Sequence, residues 1–178
     1  RGPMSLFDTH CHLDDSRFDE DRAQVIENMR QAGVSLCLCC GSDRPSSEAA
    51  FSLARAHEGI YAAAGVHPHN ASGFDQESEP WLREILRRPK VQALGEIGLD
   101  YHYDFSPRQT QREVFARQLD LAGELDVPAI LHVREAHGDV LEALRGRRGS
   151  LPPVVLHCFS CSWETAKAYL ALGCHISL

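Results

Sequence analysis

The stretch VQALGEIGL, residues 91–99, decides how this chain folds. It is mostly apolar and too short for an ordinary helix, so it reads as a strand. Six further runs follow the same pattern: LFDTH (6–10), VSLCLCCG (34–41), IYAAAGVHP (60–68), VPAILHV (127–133), PPVVLHCF (152–159) and CHISL (174–178). Between them lie segments of helical period. Phe18, Val25, Ile26 and Met29 make one apolar stripe that Gly33 closes; Trp81, Leu82, Ile85 and Leu86 make another; Val114, Phe115, Leu119 and Leu121 make a third. Ser106 followed by Pro107 is the expected N-cap of that third helix. Strand alternating with helix implies a parallel sheet, either an open doubly wound sheet or a barrel.

The polar residues choose between the two. His10 and His12, His67, Glu96, His132 and His157 stand at or near the C-terminal ends of five different strand runs. In a (β/α)8 barrel those ends share one mouth, whereas an open sheet would string them along an edge. The expected fold is therefore α/β, a TIM (β/α)8-type barrel. His10 and His12 are two residues apart, so a strand turns both imidazoles to one face. Glu96 interrupts an apolar strand, where a carboxylate is costly unless a charge or a metal faces it. Mixed imidazole and carboxylate donors, with one carboxylate able to bridge, suit two neighbouring divalent ions and the hydrolysis of a phosphoryl ester. Cys11 and Cys158 flank these histidines on the opposite strand face and read as small core residues. His57, His137 and His175 fit no such constellation.

Composition sets the outer limits. The 178 residues are 43% hydrophobic, enough for one core, and the formal net charge of −7 excludes a broad basic surface for gripping nucleic acid. Any phosphate contacts must be local. Seven cysteines without a zinc-ribbon spacing read as reduced thiols of the cytoplasm. No run approaches the ~18 apolar residues of a membrane-spanning helix. A single domain is expected over residues 4–178, with Arg1, Gly2 and Pro3 read as a tag remnant.

Five motifs, FDTHCHLD (7–14), AAAGVHPH (62–69), ALGEIGLDY (93–101), AILHVREA (129–136) and VVLHCFS (154–160), occur in the order and spacing of the TatD-like metal-dependent deoxyribonucleases of the amidohydrolase superfamily, which this chain closely resembles. The resemblance implies a TIM barrel with two divalent metals, commonly Mg2+, with Zn2+ and Mn2+ as other ions the donors suit. It also implies a cytoplasmic enzyme that hydrolyses DNA phosphodiesters, often from the 3′ end. Residue by residue, it makes His10, His12, Glu96, His132 and His157 the metal ligands, with Glu96 as the bridging carboxylate. His67 becomes a catalytic contact to the scissile phosphate and His69 an assisting residue. Arg134, two residues beyond His132, is placed to hold a phosphate through its planar donor fork.

Two departures accompany the match. Cys161 stands where the family usually has glycine, and the sequence ends at Leu178 inside the seventh strand run, before the eighth strand that carries a further metal-ligating aspartate in the family. A complete barrel takes ~250 residues. The expected form is thus a barrel truncated at about the seventh strand, with open sheet edges, an unspecified oligomeric state, retained metal affinity and poor turnover. Two other functions stay open: ester or amide hydrolysis, as in deacylation of D-aminoacyl-tRNA, and an inactive metal-binding fragment.

Overall fold

In the computed structural model, which describes residues 5–178, strands and helices alternate as the sequence implies. The order is β1 (Leu6–Cys11), α1 (Arg22–Gln31), β2 (Val34–Cys40), α2 (Arg44–Ala56), β3 (Ile60–Ala64), α3 (Ser78–Ile85), β4 (Val91–Asp100), α4 (Arg108–Leu125), β5 (Ala129–Arg134), α5 (His137–Arg145), β6 (Val154–Leu156), α6 (Trp163–Leu170) and β7 (His175–Ile176). The tag-remnant reading of residues 1–3 lies outside the described residues. No described helix is long and apolar enough to cross a membrane.

All neighbouring strands run parallel in the order β1 to β7. β1 and β7 sit at opposite ends of that order, yet Thr9 Oγ1 donates to Ser177 Oγ at 3.2 Å. The rings of His10 on β1 and His157, just beyond β6, stack with centroids 3.7 Å apart. A flat sheet would hold those positions far apart, so the seven strands curl into the arc of an α/β barrel.

Alternation along the strands builds two apolar layers. Cys37, Cys39, Ile60, Ala62, Leu94, Leu131 and Leu156 face outward into the helices and form the main core with Leu82, Leu119 and Leu144. Leu38, Cys40, Ala63, Ala93 and Ile130 face inward and fill the barrel interior. Side chains buried this fully each contribute roughly 1.5–3 kcal/mol if they are of leucine or isoleucine size. His132 follows Ile130 by two residues and His157 follows Val155 by two, so both continue the inner face toward the strand ends.

Local signals fix the helices. Asp43 and Ser46 form a capping box at α2: Asp43 Oδ1 accepts from Ser46 N–H at 2.9 Å, and Ser46 Oγ accepts from Asp43 N–H at 3.0 Å. Ser162 caps α6 through Thr165 N–H. Three expectations need correction. Phe18 belongs to a 3-10 turn, Ser16–Phe18, that precedes α1. Ser106 does not cap α4, which starts after Pro107; its buried hydroxyl donates to His69 O and accepts from Ser72 N–H, tying the loop after β3 to the loop after β4. Cys158 is exposed and adopts a left-handed conformation (φ 45°), because β6 ends at Leu156 and strand alternation does not reach it. Cys11 does pack against the outer core.

Candidate metal centre

Glu96 is the hub at the strand ends, 3% exposed and surrounded by imidazole. Its Oε2 lies 3.4 Å from His10 Nε2 and 3.7 Å from His12 Nε2. Its Oε1 lies 3.0 Å from His132 Nδ1 and 2.6 Å from His157 Nε2. Each carboxylate oxygen therefore faces its own pair of histidines. Burial opposes ionisation of Glu96, but hydrogen bonds from His10, His132 and His157 outweigh it and hold the carboxyl well below the usual carboxylate range. The β4–β5 register shifts between Leu94 and Ile97, which is where Glu96 enters the barrel. Gly98, at φ +146°, lets the strands close tightly beyond it: a Cβ there would fall 1.9 Å from the His132 carbonyl oxygen.

Hydrogen bonds on the far side of the His12 and His132 rings set their tautomers. His12 Nδ1 is 2.9 Å from the Cys40 carbonyl oxygen, which only accepts, so this nitrogen carries the proton and Nε2 presents a lone pair to the cleft. His132 Nε2 is 2.9 Å from Asp100 Oδ2. Burial would raise the pKa of Asp100, but the Tyr103 N–H and the rings of His132 and His69 lower it to about 2, so Asp100 is an acceptor and His132 donates to it through Nε2–H. His132 thus directs Nδ1 at Glu96. Burial favours neutral His132, while Glu96 and Asp100 outweigh burial and raise its pKa.

His67 is built differently. Its Nδ1 accepts from His69 N–H at 3.1 Å, and burial lowers its pKa to about 3. The neutral ring carries its proton on Nε2, 3.8 Å from Glu96 Oε1, so His67 offers the cleft a donor. His69 Nε2 donates to the same Asp100 oxygen at 3.0 Å. Arg134 is exposed, its guanidinium carbon 4.9 Å from the Tyr103 ring centroid. Two buried glutamines of α4 fix the backbone beneath: Gln118 accepts from Val66 N–H at 2.8 Å and donates to Val66 O at 2.9 Å, and Gln111 accepts from Asp100 N–H and donates to Asp100 O.

The donors fit divalent cations. His10 and His12 oppose their Nε2 atoms at 3.0 Å, with a lone pair on His12. His10 Nδ1 is a buried polar atom with no hydrogen-bond partner among the described residues. Two clusters, His10, His12 and Glu96, and Glu96, His132 and His157, each hold their ligand atoms within 4.8 Å of one another. Without cations such facing lone pairs must be bridged by protons, and a metal would replace those protons. Every sequence-predicted ligand converges here, along with His67 and His69, while Arg134 lies at the rim. Asp100, Gln111 and Gln118 were missed. Asp100 was legible, because period-two alternation puts Glu96, Gly98 and Asp100 on one face of β4.

A sequence model of the TatD related DNase family matches residues 7–178. The chain is 40% identical over 173 residues to the 3′-5′ ssDNA/RNA exonuclease TatD of Cronobacter sakazakii, covering 97% of this chain and 66% of that protein. It is 38% identical over 172 residues to the uncharacterized metal-dependent hydrolase YabD of Bacillus subtilis (strain 168), covering 97% and 68%. Among solved structures, YJJV, a TATD homolog from Escherichia coli K12, superposes with a TM-score of 0.89 at 33% identity, over 96% of this chain and 66% of that one. The chain thus spans about two thirds of the length of these relatives. With the five motifs, the curled parallel sheet and these similarities together, the chain belongs to the TatD related DNase family.

Proposed function

We propose that the protein is a metal-dependent hydrolase of nucleic-acid phosphodiesters, acting at the 3′ end of single strands. Residues 4–178 serve as one domain that holds two divalent ions, with Mg2+ as the working ion. The observation that carries this reading is the two-sided surround of Glu96: Oε2 faces His10 and His12, and Oε1 faces His132 and His157. That is the arrangement a bridging carboxylate between two ions needs. When bound, such a pair supplies hydroxide at neutral pH and stabilises charge on phosphoryl oxygens.

The chain's own residues do the rest. His67 holds its Nε2 proton toward the cleft and donates it as a hydrogen bond to a phosphoryl oxygen, and its buried, neutral state keeps that proton in place. Asp100 orients His132, and His69 shares the same carboxylate oxygen. Arg134 holds a neighbouring phosphate through its donor fork at the exposed rim. The single-strand and 3′-end specificity is supported by the similarity to the 3′-5′ ssDNA/RNA exonuclease TatD of Cronobacter sakazakii. The cysteines are free among the described residues, and a cytoplasmic location is part of this reading.

The test is a single-turnover assay with protein in excess over single-stranded DNA labelled at its 5′ end, with Mg2+ or Mn2+, beside Glu96→Gln. Stepwise shortening by the parent protein, absent in Glu96→Gln, is the expected result. Intact DNA alongside consumption of a D-aminoacyl-tRNA ester would assign the site to acyl hydrolysis. Intact DNA and ester, with metal still bound, would make the chain a metal-binding module.

A further inference from the structure

Seven residues separate β4 from α4, and they are held more firmly than an exposed loop requires. Asp100 Oδ1 accepts from the N–H groups of His102 and Tyr103, both at 3.0 Å. Asp104 sits in the left-handed region (φ 52°), and its carboxylate pairs with Arg108 at 2.8 Å. Ser106 is fully buried, bonded to His69 O and Ser72 N–H, and its own carbonyl accepts from Gln111 Nε2 at 2.8 Å. Between these anchors the loop presents two apolar rings to solvent: Tyr103 is 47% exposed and Phe105 is 66% exposed.

The two rings form an ordered stack. Their centroids are 5.2 Å apart at an interplanar angle of 18°, and the Arg134 guanidinium carbon lies 4.9 Å from the Tyr103 centroid. Phe105 also packs against His69 at an interplanar angle of 73°, centroid to centroid 4.8 Å, and His69 donates to the carboxylate that orients His132. Phe105 lines the same cleft as His12, His67, Glu96, His132 and His157. An isolated exposed phenylalanine needs no explanation. A pinned pair of exposed rings, next to a guanidinium and one side chain from a cluster suited to phosphoryl chemistry, has the composition of a nucleobase-stacking surface.

We propose that Phe105, supported by Tyr103 and Arg134, is a stacking platform for the terminal nucleobase of a single strand whose scissile phosphate lies over Glu96. The inference rests on the phosphodiesterase reading and adds the group that recognises the base. Stacking needs an unpaired base with a free face, so the platform selects single strands. Every base has a π-face, so it accepts all four without reading sequence. Base pairing in a duplex end would have to be broken first.

The experiment measures binding rather than turnover. Two short single strands are compared, one ending in 2-aminopurine at its 3′ terminus and one ending in an abasic sugar, for the parent protein, Phe105→Ala and Phe105→Tyr, with Ca2+ as the divalent ion. The parent protein should quench the 2-aminopurine fluorescence and bind the base-bearing strand about ten-fold more tightly than the abasic one. Phe105→Ala should abolish the quench and bring the affinity ratio to about one, while Phe105→Tyr keeps both. Circular dichroism and metal-binding isotherms check that the variants fold. A ratio and a quench that survive Phe105→Ala would overturn the platform while leaving the hydrolase reading intact. Failure of either strand to bind, with no cleavage in the labelled-strand assay, would remove the phosphodiesterase reading and the platform with it.

Discussion

At the scale of single residues, Glu96 and Asp100 divide the labour. Glu96 gathers five imidazoles within 4 Å, and Asp100 fixes the direction of one of them by accepting His132 Nε2–H at 2.9 Å. Carboxylates in that supporting position commonly contribute about 10–100-fold to metal affinity. Asp100→Asn should therefore weaken divalent-ion binding by about that factor in calorimetric titration, while far-ultraviolet circular dichroism stays unchanged. An unaltered isotherm would deny Asp100 its orienting role. His67 makes a separate prediction about pH. Its pKa falls from 6.5 to about 3 on folding, through burial. Below pH 6.5 the unfolded chain takes up a proton that native His67 refuses, so this residue's contribution to stability is present above 6.5 and is lost as pH falls toward 3. His132, raised by Glu96 and Asp100, has the opposite sign: its contribution is present below 6.5 and is lost as pH rises through its folded value. The comparison that isolates His67 is the melting temperature of metal-free protein against His67→Asn from pH 7 to 5. The parent should lose more stability on acidification than the variant, and equal losses would show that the ring is not held neutral.

At the scale of elements, β4 positions the site. Its register shift turns Glu96 inward, and Gly98 lets it lie against β5 where a Cβ would meet the His132 carbonyl oxygen at 1.9 Å. Neither the clash nor the φ of +146° can be relieved by a side-chain rotation. Gly98→Ala should cost about 3 kcal/mol or more in chemical denaturation, and a cost below about 1 kcal/mol would mean the strand yields easily there. The strands themselves were legible in the sequence, because apolar runs ending in histidine carry the period-two pattern that turned His132 and His157 inward. Asp100 was legible by the same rule but lies four residues beyond Glu96, the residue at which the strand reading found its site. Gln111 and Gln118 were not legible. On a helix they look like ordinary surface amides, and only the close approach of α4 to the ends of β3 and β4 buries them against Val66 and Asp100. Ser106 misled for a related reason: a serine before proline matches a cap by composition, but tertiary contacts with His69 and Ser72 claimed its hydroxyl. Cys158 was misread because alternation was extended past the end of a three-residue strand.

At the scale of the whole molecule, the chain carries a formal net charge of −7, while the substrate we propose for its cleft is an anionic polymer. Attraction to the strand must then come from a few groups at the strand ends and from bound cations. Single-strand binding loses affinity with salt at a slope of about 0.7 per phosphate neutralised, so log Kd against log salt should slope no more steeply than about 2. A slope several times steeper would reveal an extended basic track along the bound strand. The curled sheet brings four strands and one loop to the same mouth, where we propose that two cations sit on opposite sides of Glu96. Anomalous diffraction from crystals grown with Mn2+ tests it most directly. Two peaks about 3.5–4 Å apart are expected, one against His10 and His12 and the other against His132 and His157, with Glu96 between them. A map with no peak beside Glu96, or with manganese only on surface carboxylates, would contradict it.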